Sequence, residues 1–159
     1  PAPRIRKATA DDLPAVGRVL AAAFADDPLW MWMSKHSPSW SRRAERWFAS
    51  EAPLKLDGHG EVLVDDEVGA AAIWTEPEHW RGSWGDSARV AVPSAALFRA
   101  RLLRTLGAVN QMERAHPTTP HWYLEIIGTD PAHQGRGLGG ALIETVTARC
   151  DEQGLGAFL

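Results

Sequence analysis

The segment Thr129-Asp130-Pro131-Ala132-His133-Gln134-Gly135-Arg136-Gly137-Leu138-Gly139-Gly140 decides how the rest of the chain is interpreted. The residues at 121–129 before it have the composition of a β-strand, and a helical pattern follows it as far as Gln153. Glycines let a ligand approach the main chain closely, and the first N–H groups of a helix lack partners within the helix. With the helix dipole, these amides predict a site for an anion such as a pyrophosphate.

The same glycines also fit other sequence patterns. Gly135, Gly137 and Gly140 also spell the dinucleotide-binding pattern G-x-G-x-x-G. In that fold the first glycine follows its strand almost directly, whereas residues 130–134 intervene here. A P-loop is excluded because no lysine follows the glycines. A structural turn that binds no ligand remains an open alternative.

Hydrophobic periodicity and turn residues predict one domain over residues 1–159 with the order β, α, α, β, β, α, β, α, β. The predicted elements are a strand at 4–8, helices at 9–25 and 39–55, a hairpin at 61–65 and 68–75, a helix at 93–115, a strand at 121–129, a helix ending at 153 and a strand from 156. Residues 29–38 are predicted to form a loop. The fold class is α/β, with a mixed, mostly antiparallel central sheet flanked by helices, and the last strand–helix–strand unit is a parallel crossover.

Composition excludes several kinds of partner. The net charge of −3 provides no positive field for nucleic acid or for an anionic membrane surface. The single Cys150 and the lack of an apolar N-terminal or bilayer-length run predict a cytoplasmic location and no membrane partner. The six histidines include no H-x-x-x-H spacing, and there is no cysteine pair, so no metal is predicted.

The glycine-rich segment resembles the acyl-CoA signature Q/R-x-x-G-x-G/A of the Gcn5-related N-acetyltransferases. Gln134, Gly137 and Gly139 occupy its defined positions. The preceding strand is also similar to that of the family, at Leu124, Ile127, Thr129 and Pro131, with Thr129 in place of the usual valine. The resemblance implies the acyl-CoA N-acyltransferase fold.

Within the family, the sequence resembles the group of puromycin N-acetyltransferase and its actinobacterial relatives. The resemblance covers 4–28, 72–78, 122–139 and 156–159, and it is weakest at 29–53, in the region expected to bind the acceptor. It also implies that this chain stops within its fifth strand, before a helix and further strands of the family fold.

The resemblance implies acetyl-CoA as co-substrate and the amine of a small molecule as acceptor, with direct attack on the thioester in a ternary complex. Main-chain groups of Ile127 and Thr129 are expected to hold the pantetheine. The residues expected to hold the pyrophosphate are Gln134, Gly135, Arg136, Gly137, Leu138, Gly139 and Gly140. A homodimer is a further expectation.

Glu125 is the predicted catalytic base. Alkylamines titrate near the lysine value of about 10.4, so a base is needed to free the attacking amine. The two-residue period of a strand puts Glu125 on one face with Tyr123, Ile127 and Thr129. A carboxylate on a solvated or salt-bridged sheet face is the alternative. The main-chain N–H of Ile127 is the predicted oxyanion donor.

Large aromatic side chains are expected to line the acceptor site, because the chain has eight tryptophans and acids lie near several of them. The predicted substrate contacts are Trp30, Trp32, Trp74, Trp80, Trp84 and Tyr123. Simple core packing is the alternative, above all for Trp74 and Trp122. Two other functions remain open, protein N-acetylation and an inactive acyl-CoA-binding or interaction module.

Overall fold

A computed structural model describes residues 3–35, 37–56, 58–81 and 84–159, except for the side chain of Trp84. Its centre is one sheet, and among these residues the sheet has five strands in the order β1-β2-β3-β4-β5. The strands are β1 (Ile5–Lys7), β2 (Gly60–Asp65), β3 (Ala70–Thr75), β4 (His121–Thr129) and β5 (Gly156–Phe158). Neighbouring strands are antiparallel except for the parallel pair β4–β5. The predicted mixed sheet and its parallel crossover are confirmed.

Helices cover both faces of the sheet. They are α1 (Leu13–Ala23), α2 (Pro28–Met33), α3 (Trp40–Leu56), α4 (Trp84–Phe98), α5 (Leu102–Arg114) and α6 (Leu138–Gln153). The first four contribute to an apolar core on one face, and α6 forms a second core on the other face. None of the helices in the described ranges is long and apolar enough to cross a lipid bilayer.

The hairpin β2–β3 closes on the carboxylate of Asp65. This carboxylate accepts hydrogen bonds from the main-chain N–H groups of Gly69 at 2.8 Å and Ala70 at 2.7 Å. It also accepts one from Glu67 at 3.2 Å. Val68 adopts the left-handed conformation, with φ 54°, and β3 therefore begins at Ala70, slightly later than predicted.

The predicted loop at 29–38 is wrong in its first part, because residues Pro28–Met33 form the short helix α2. Asp27 caps this helix, and its Oδ1 accepts a hydrogen bond from the N–H of Trp30 at 2.9 Å. Pro28 stands at the first helical position, where its missing N–H costs nothing. The preceding helix α1 ends earlier, at Ala23, and the Asp27-Pro28 pair starts the next one.

The predicted helix at 93–115 is also wrong in its boundaries. Helix α4 already begins at Trp84, and Pro93 lies inside it. The break comes instead at Arg99, whose φ of 51° is incompatible with a continuous right-handed helix. A short 3₁₀ turn at Arg99–Arg101 then leads into α5.

Strand β4 contains a β-bulge at Glu125. Its register against β3 pairs Ile126 with Ile73 and Leu124 with Trp74, which leaves Glu125 as one extra residue. A bulge of this kind bends the strand and redirects the side chains on either side of it.

The bulge overturns the predicted alternation along β4. Leu124 and Ile127 both pack in the core beneath α6, although a regular strand puts residues an odd number apart on opposite faces. Glu125 instead contacts Lys55 of α3 on the other face. The prediction that Glu125 shares a face with Ile127 and Thr129 is therefore wrong.

Close packing of α1 on α3 requires glycine at position 17. A Cβ added at Gly17 would lie 2.5 Å from the carbonyl oxygen of Glu45 and 3.1 Å from the Cβ of Ala49. We predict that Gly17→Ala lowers the free energy of unfolding by about 1–2 kcal/mol, because overpacking outweighs the gain in helix propensity.

The matched control is Gly107→Ala in α5, where an added Cβ meets no atom within 4 Å. Here we expect a stabilisation of up to about 1 kcal/mol. Denaturant unfolding of both variants measures the difference, and equal effects of the two substitutions would contradict this packing.

Candidate functional site

The glycine-rich turn between β4 and α6 takes a conformation that only glycine adopts easily. Gly135 and Gly137 have φ values of 76° and 77°. Both lie in the left-handed region, which costs other residues roughly 1–2 kcal/mol. The prediction of a glycine-rich turn leading into a helix is confirmed.

The N-terminus of α6 is open. Gly137 is its N-cap, and no side-chain hydrogen bond caps the helix. A Cβ added at Gly135, Gly137 or Gly140 would meet no atom within 4 Å, so there is free space beside the main chain at these three positions. The first amides of α6 are therefore available to an anion.

Neighbouring residues hold the turn in place. The Oδ1 of Asp130 accepts a hydrogen bond from the N–H of Ala132 at 2.8 Å. The N–H of Asp130 donates to the carbonyl of Gly69 at 2.9 Å. A Cβ at Gly69 would lie 2.7 Å from the ring of His133, so glycine is needed for the hairpin to pack against the turn.

Among the described residues, the edge of β4 beside β5 is unpaired beyond Tyr123. Strand β5 pairs with His121–Tyr123 of β4. The main chain of 124–129 pairs, within the part of the chain that the structure describes, with β3 alone, and it runs from the bulge to the glycine-rich turn. Ile127 and Thr129 lie on this stretch, and an extended ligand can add to such an edge by main-chain hydrogen bonds.

At the bulge, Glu125 lies in a cluster of polar groups. Its carboxylate is 2.7 Å from the Nζ of Lys55, and both side chains are mostly buried, at 19% and 13% exposure. The hydroxyl of Thr75 also donates to Glu125 Oε1. Glu125 therefore forms the salt bridge that the alternative interpretation predicted, and Lys55 and Thr75 fix the position of its carboxylate.

Glu51, one helical turn before Lys55 on α3, is a titratable residue that the sequence analysis missed. Burial raises the pKa of Glu51 to about 7 from an ordinary value of 4.5, and repulsion by Glu125 and Asp86 adds to the rise, while Lys55 opposes it. Glu51 therefore changes its charge near neutral pH. In the sequence, the Glu51–Lys55 spacing indicates only an ordinary helical ion pair.

Trp80, His116 and His121 line a cleft of about 330 Å³. Trp80 stacks on His116, with ring centroids 3.8 Å apart. Tyr123 meets the edge of His116 at 4.5 Å. Burial, Glu125 and Glu113 raise the pKa of Tyr123. Two of the predicted substrate contacts, Trp80 and Tyr123, are thus joined through a histidine that was not predicted.

His116 and His121, which both line the cleft, form a hydrogen-bonded pair. The Nδ1 of His121 lies 2.6 Å from the carbonyl oxygen of Thr119, and the Nε2 atoms of His121 and His116 are 2.9 Å apart. Since a carbonyl only accepts, His121 donates from Nδ1, and its Nε2 accepts from the Nε2–H of His116. Burial and His121 lower the pKa of His116.

The other predicted substrate contacts lie elsewhere. Trp30 is buried at 8% exposure and packs on Phe48 in the first core. Trp74 is fully buried in the core beneath α6. Trp32 is exposed, with the guanidinium of Arg104 3.9 Å from its ring centroid. The side chain of Trp84 lies outside the described residues. We therefore assign Trp30 and Trp74 to core packing, which was the alternative to substrate binding.

Comparisons with known proteins agree with this geometry. The chain matches the acetyltransferase (GNAT) family over residues 17–159 and therefore belongs to it. Solved structures with the same fold include a histone acetyltransferase HPA2 and related acetyltransferase from Corynebacterium glutamicum ATCC 13032, with TM-score 0.68 and 24% identity over 94% of this chain and 72% of that chain.

An apo mutant of agmatine N-acetyltransferase has TM-score 0.54 and 21% identity, over 96% of this chain and 71% of that chain. A GCN5-related N-acetyltransferase from Ralstonia eutropha JMP134 has TM-score 0.50 and 21% identity, over 98% and 81% of the two chains. The protein is an acetyltransferase with the GNAT fold.

The raised pKa of Glu51 makes stability depend on pH. Between about pH 4.5 and 7 the folded state holds a proton on Glu51 that the unfolded chain has lost. The free energy of unfolding therefore falls as pH rises through this window. We predict that Glu51→Gln removes this fall, and denaturant unfolding at several pH values measures it.

The control is Glu152→Gln at an exposed position of α6. We expect this variant to follow the wild-type dependence on pH. If the free energy of unfolding depends on pH in the same way in Glu51→Gln and in the wild type, the pKa of Glu51 is not raised by folding, and this explanation is contradicted.

Proposed function

We propose that this protein transfers an acetyl group from acetyl-CoA to the amine of a small molecule by direct attack in a ternary complex. One observation carries the proposal. The uncapped, unobstructed N-terminus of α6 continues into the free edge of β4, and this edge leads to a fixed carboxylate at the bulge. An anion site, a groove for an extended chain and a polar cluster thus follow one another along a single strand.

The co-substrate fits this arrangement by its chemistry. The pyrophosphate of acetyl-CoA accepts hydrogen bonds from main-chain amides between Gln134 and Gly140 and is stabilised by the dipole of α6. The pantetheine carries amide groups, and these pair with the free main-chain edge at Ile127 and Thr129 as an added strand does. The thioester then lies near the bulge, with the N–H of Ile127 as the oxyanion donor.

The acceptor enters from the cleft lined by Trp80 and His116, and the ring of His116 also contacts Tyr123. Glu78 and Glu113 line this cleft together with Arg81 and Arg114, so its walls combine aromatic rings with charged groups of both signs. Such walls suit an amine that carries an aromatic or apolar group. The similarity to the puromycin N-acetyltransferase group makes an aminonucleoside the first acceptor to test.

The carboxylates of Glu125 at the bulge and of Glu51 on α3 act together as the base. The lone pair of the neutral amine attacks the carbonyl carbon, and the C–S bond breaks with its electron pair leaving on sulfur. The proton of the amine passes to the pair Glu51 and Glu125. Lys55 and Thr75 hold Glu125 in place, and Glu51 has a pKa of about 7, which suits a base that works near neutral pH.

A change of charge at Gly140 tests the anion site. An added side chain meets open space there, so the fold tolerates it. Gly140→Asp places a carboxylate where the pyrophosphate binds, and we predict that it weakens acetyl-CoA binding by roughly tenfold or more relative to Gly140→Asn, which has the same size without the charge. Isothermal titration calorimetry measures both variants, and equal affinities would contradict the site.

The pH–rate profile tests the base. In the wild type we expect kcat/KM to rise with pH through about 7, because Glu51 must lose its proton to accept another. Glu51→Gln should lower kcat/KM by about 10²–10⁴-fold and abolish this rise. Glu152→Gln serves as the control, and a rise of the same midpoint in Glu51→Gln would exclude Glu51 as part of the base.

Two assays test the proposed function as a whole. Thermal shift with acetyl-CoA reports binding, and release of the CoA thiol reports turnover against puromycin, simple aromatic amines and N-terminal peptides. We expect stabilisation by acetyl-CoA and turnover with a small amine. Turnover with peptides alone would favour protein acetylation, and stabilisation without any turnover would favour an inactive binding module. A protein that acetyl-CoA does not stabilise contradicts the proposal.

A further inference from the structure

We propose that His59, Glu76 and His79 form a binding site for a divalent transition-metal ion. One ligand atom from each of the three residues lies within 4.8 Å of the other two. His59 precedes β2, and the other two residues follow β3, so the hairpin brings them together. The prediction of no metal was based on spacing along the chain, which cannot detect ligands from two separate loops.

Main-chain hydrogen bonds hold the two loops against each other. The N–H of Glu76 donates to the carbonyl of His59 at 3.2 Å, and the N–H of His79 donates to the carbonyl of Glu76 at 3.2 Å. Glu78 adopts the left-handed conformation, with φ 69°, which is unusual for a residue other than glycine. Backbone in this conformation persists where the surroundings enforce it, and here it turns His79 back toward Glu76.

The hydrogen bond of His79 fixes which of its nitrogens is free. Its Nδ1 lies 2.9 Å from the carbonyl oxygen of Pro77, so Nδ1 carries the proton and donates it. The lone pair of Nε2 is then available to a metal. Histidine ligands of metals in proteins are commonly oriented in this way, with the other ring N–H donated to a carbonyl.

The distances require only a local adjustment. A tetrahedral ion with bonds of about 2.0–2.1 Å separates its ligand atoms by roughly 3.4 Å. His59 Nδ1 and Glu76 Oε2 are already 3.5 Å apart. The rings of His59 and His79 stack with centroids 3.6 Å apart, so one ring must turn for both lone pairs to converge. The χ2 torsion of histidine has a broad minimum, and His59 is largely exposed and free to turn.

The donor set selects the class of metal. Two imidazole nitrogens and one carboxylate suit Zn²⁺ and its neighbours Ni²⁺ and Cu²⁺, whereas Mg²⁺ and Ca²⁺ prefer oxygen ligands. Three protein ligands leave a position for water, as in open zinc sites. The bound ion would tie the turn before β2 to the loop that carries Trp80. This inference does not rest on the proposed reaction.

The test is calorimetric titration of the chelator-treated, full chain with ZnCl₂ and, separately, with MgCl₂. We expect one Zn²⁺ per chain and no binding of Mg²⁺ at the same concentrations. His59→Ala and His79→Ala should each weaken Zn²⁺ binding by at least ~100-fold, and Glu76→Gln by roughly tenfold. Circular dichroism melts confirm that each variant is folded.

His116→Ala is the matched control, because His116 also has a histidine partner but lies in the cleft. It should leave the Zn²⁺ affinity unchanged. The proposal is overturned if the wild type does not bind Zn²⁺, or if His59→Ala and His79→Ala bind Zn²⁺ as tightly as the wild type does.

Discussion

In the part of the chain that the structure describes, no side chain caps the N-terminus of α6 at Gly137, so the first main-chain N–H groups of this helix stay accessible. The proposed anion site consists of these groups, and the other parts of the site are positioned relative to it. Two left-handed glycines turn the chain so that the first amides of α6 face free space. The side-chain hydrogen bond of Asp130 and the close packing of Gly69 against His133 hold this turn in place. Because no described side chain caps α6, the positive end of the helix dipole at its N-terminus is available to bind an anion.

The β-bulge at Glu125 divides β4 into two functional halves. Beyond the bulge, Ile127 packs beneath α6, and the free edge leads to the glycine-rich turn. At the bulge itself, Glu125 faces α3, where Lys55 and Thr75 bind its carboxylate. In the proposed function, this one extra residue separates the side of β4 that binds the donor from the side that binds the acceptor.

The sequence was sufficient for the five strands, for the mixed sheet with its parallel crossover and for the glycine-rich turn, because periodicity and turn residues indicate each of them directly. It was insufficient at Asp27-Pro28, which was interpreted only as a helix breaker and in fact starts the short helix α2. The bulge escaped detection because an extra residue shows only against the partner strand. The pKa of Glu51 and the approach of His59 to His79 depend on groups distant in the sequence, so they required the fold.

Amide NMR of the ¹⁵N-labelled protein, titrated with coenzyme A and, in parallel, with pantetheine, which lacks the diphosphate, shows where the diphosphate binds. We expect coenzyme A to shift the amide resonances of Gly137–Gly140 strongly, and pantetheine to leave them unchanged and to perturb only residues of β4. If coenzyme A binds and those glycine resonances do not move, the diphosphate lies elsewhere, and the first amides of α6 are not its binding site.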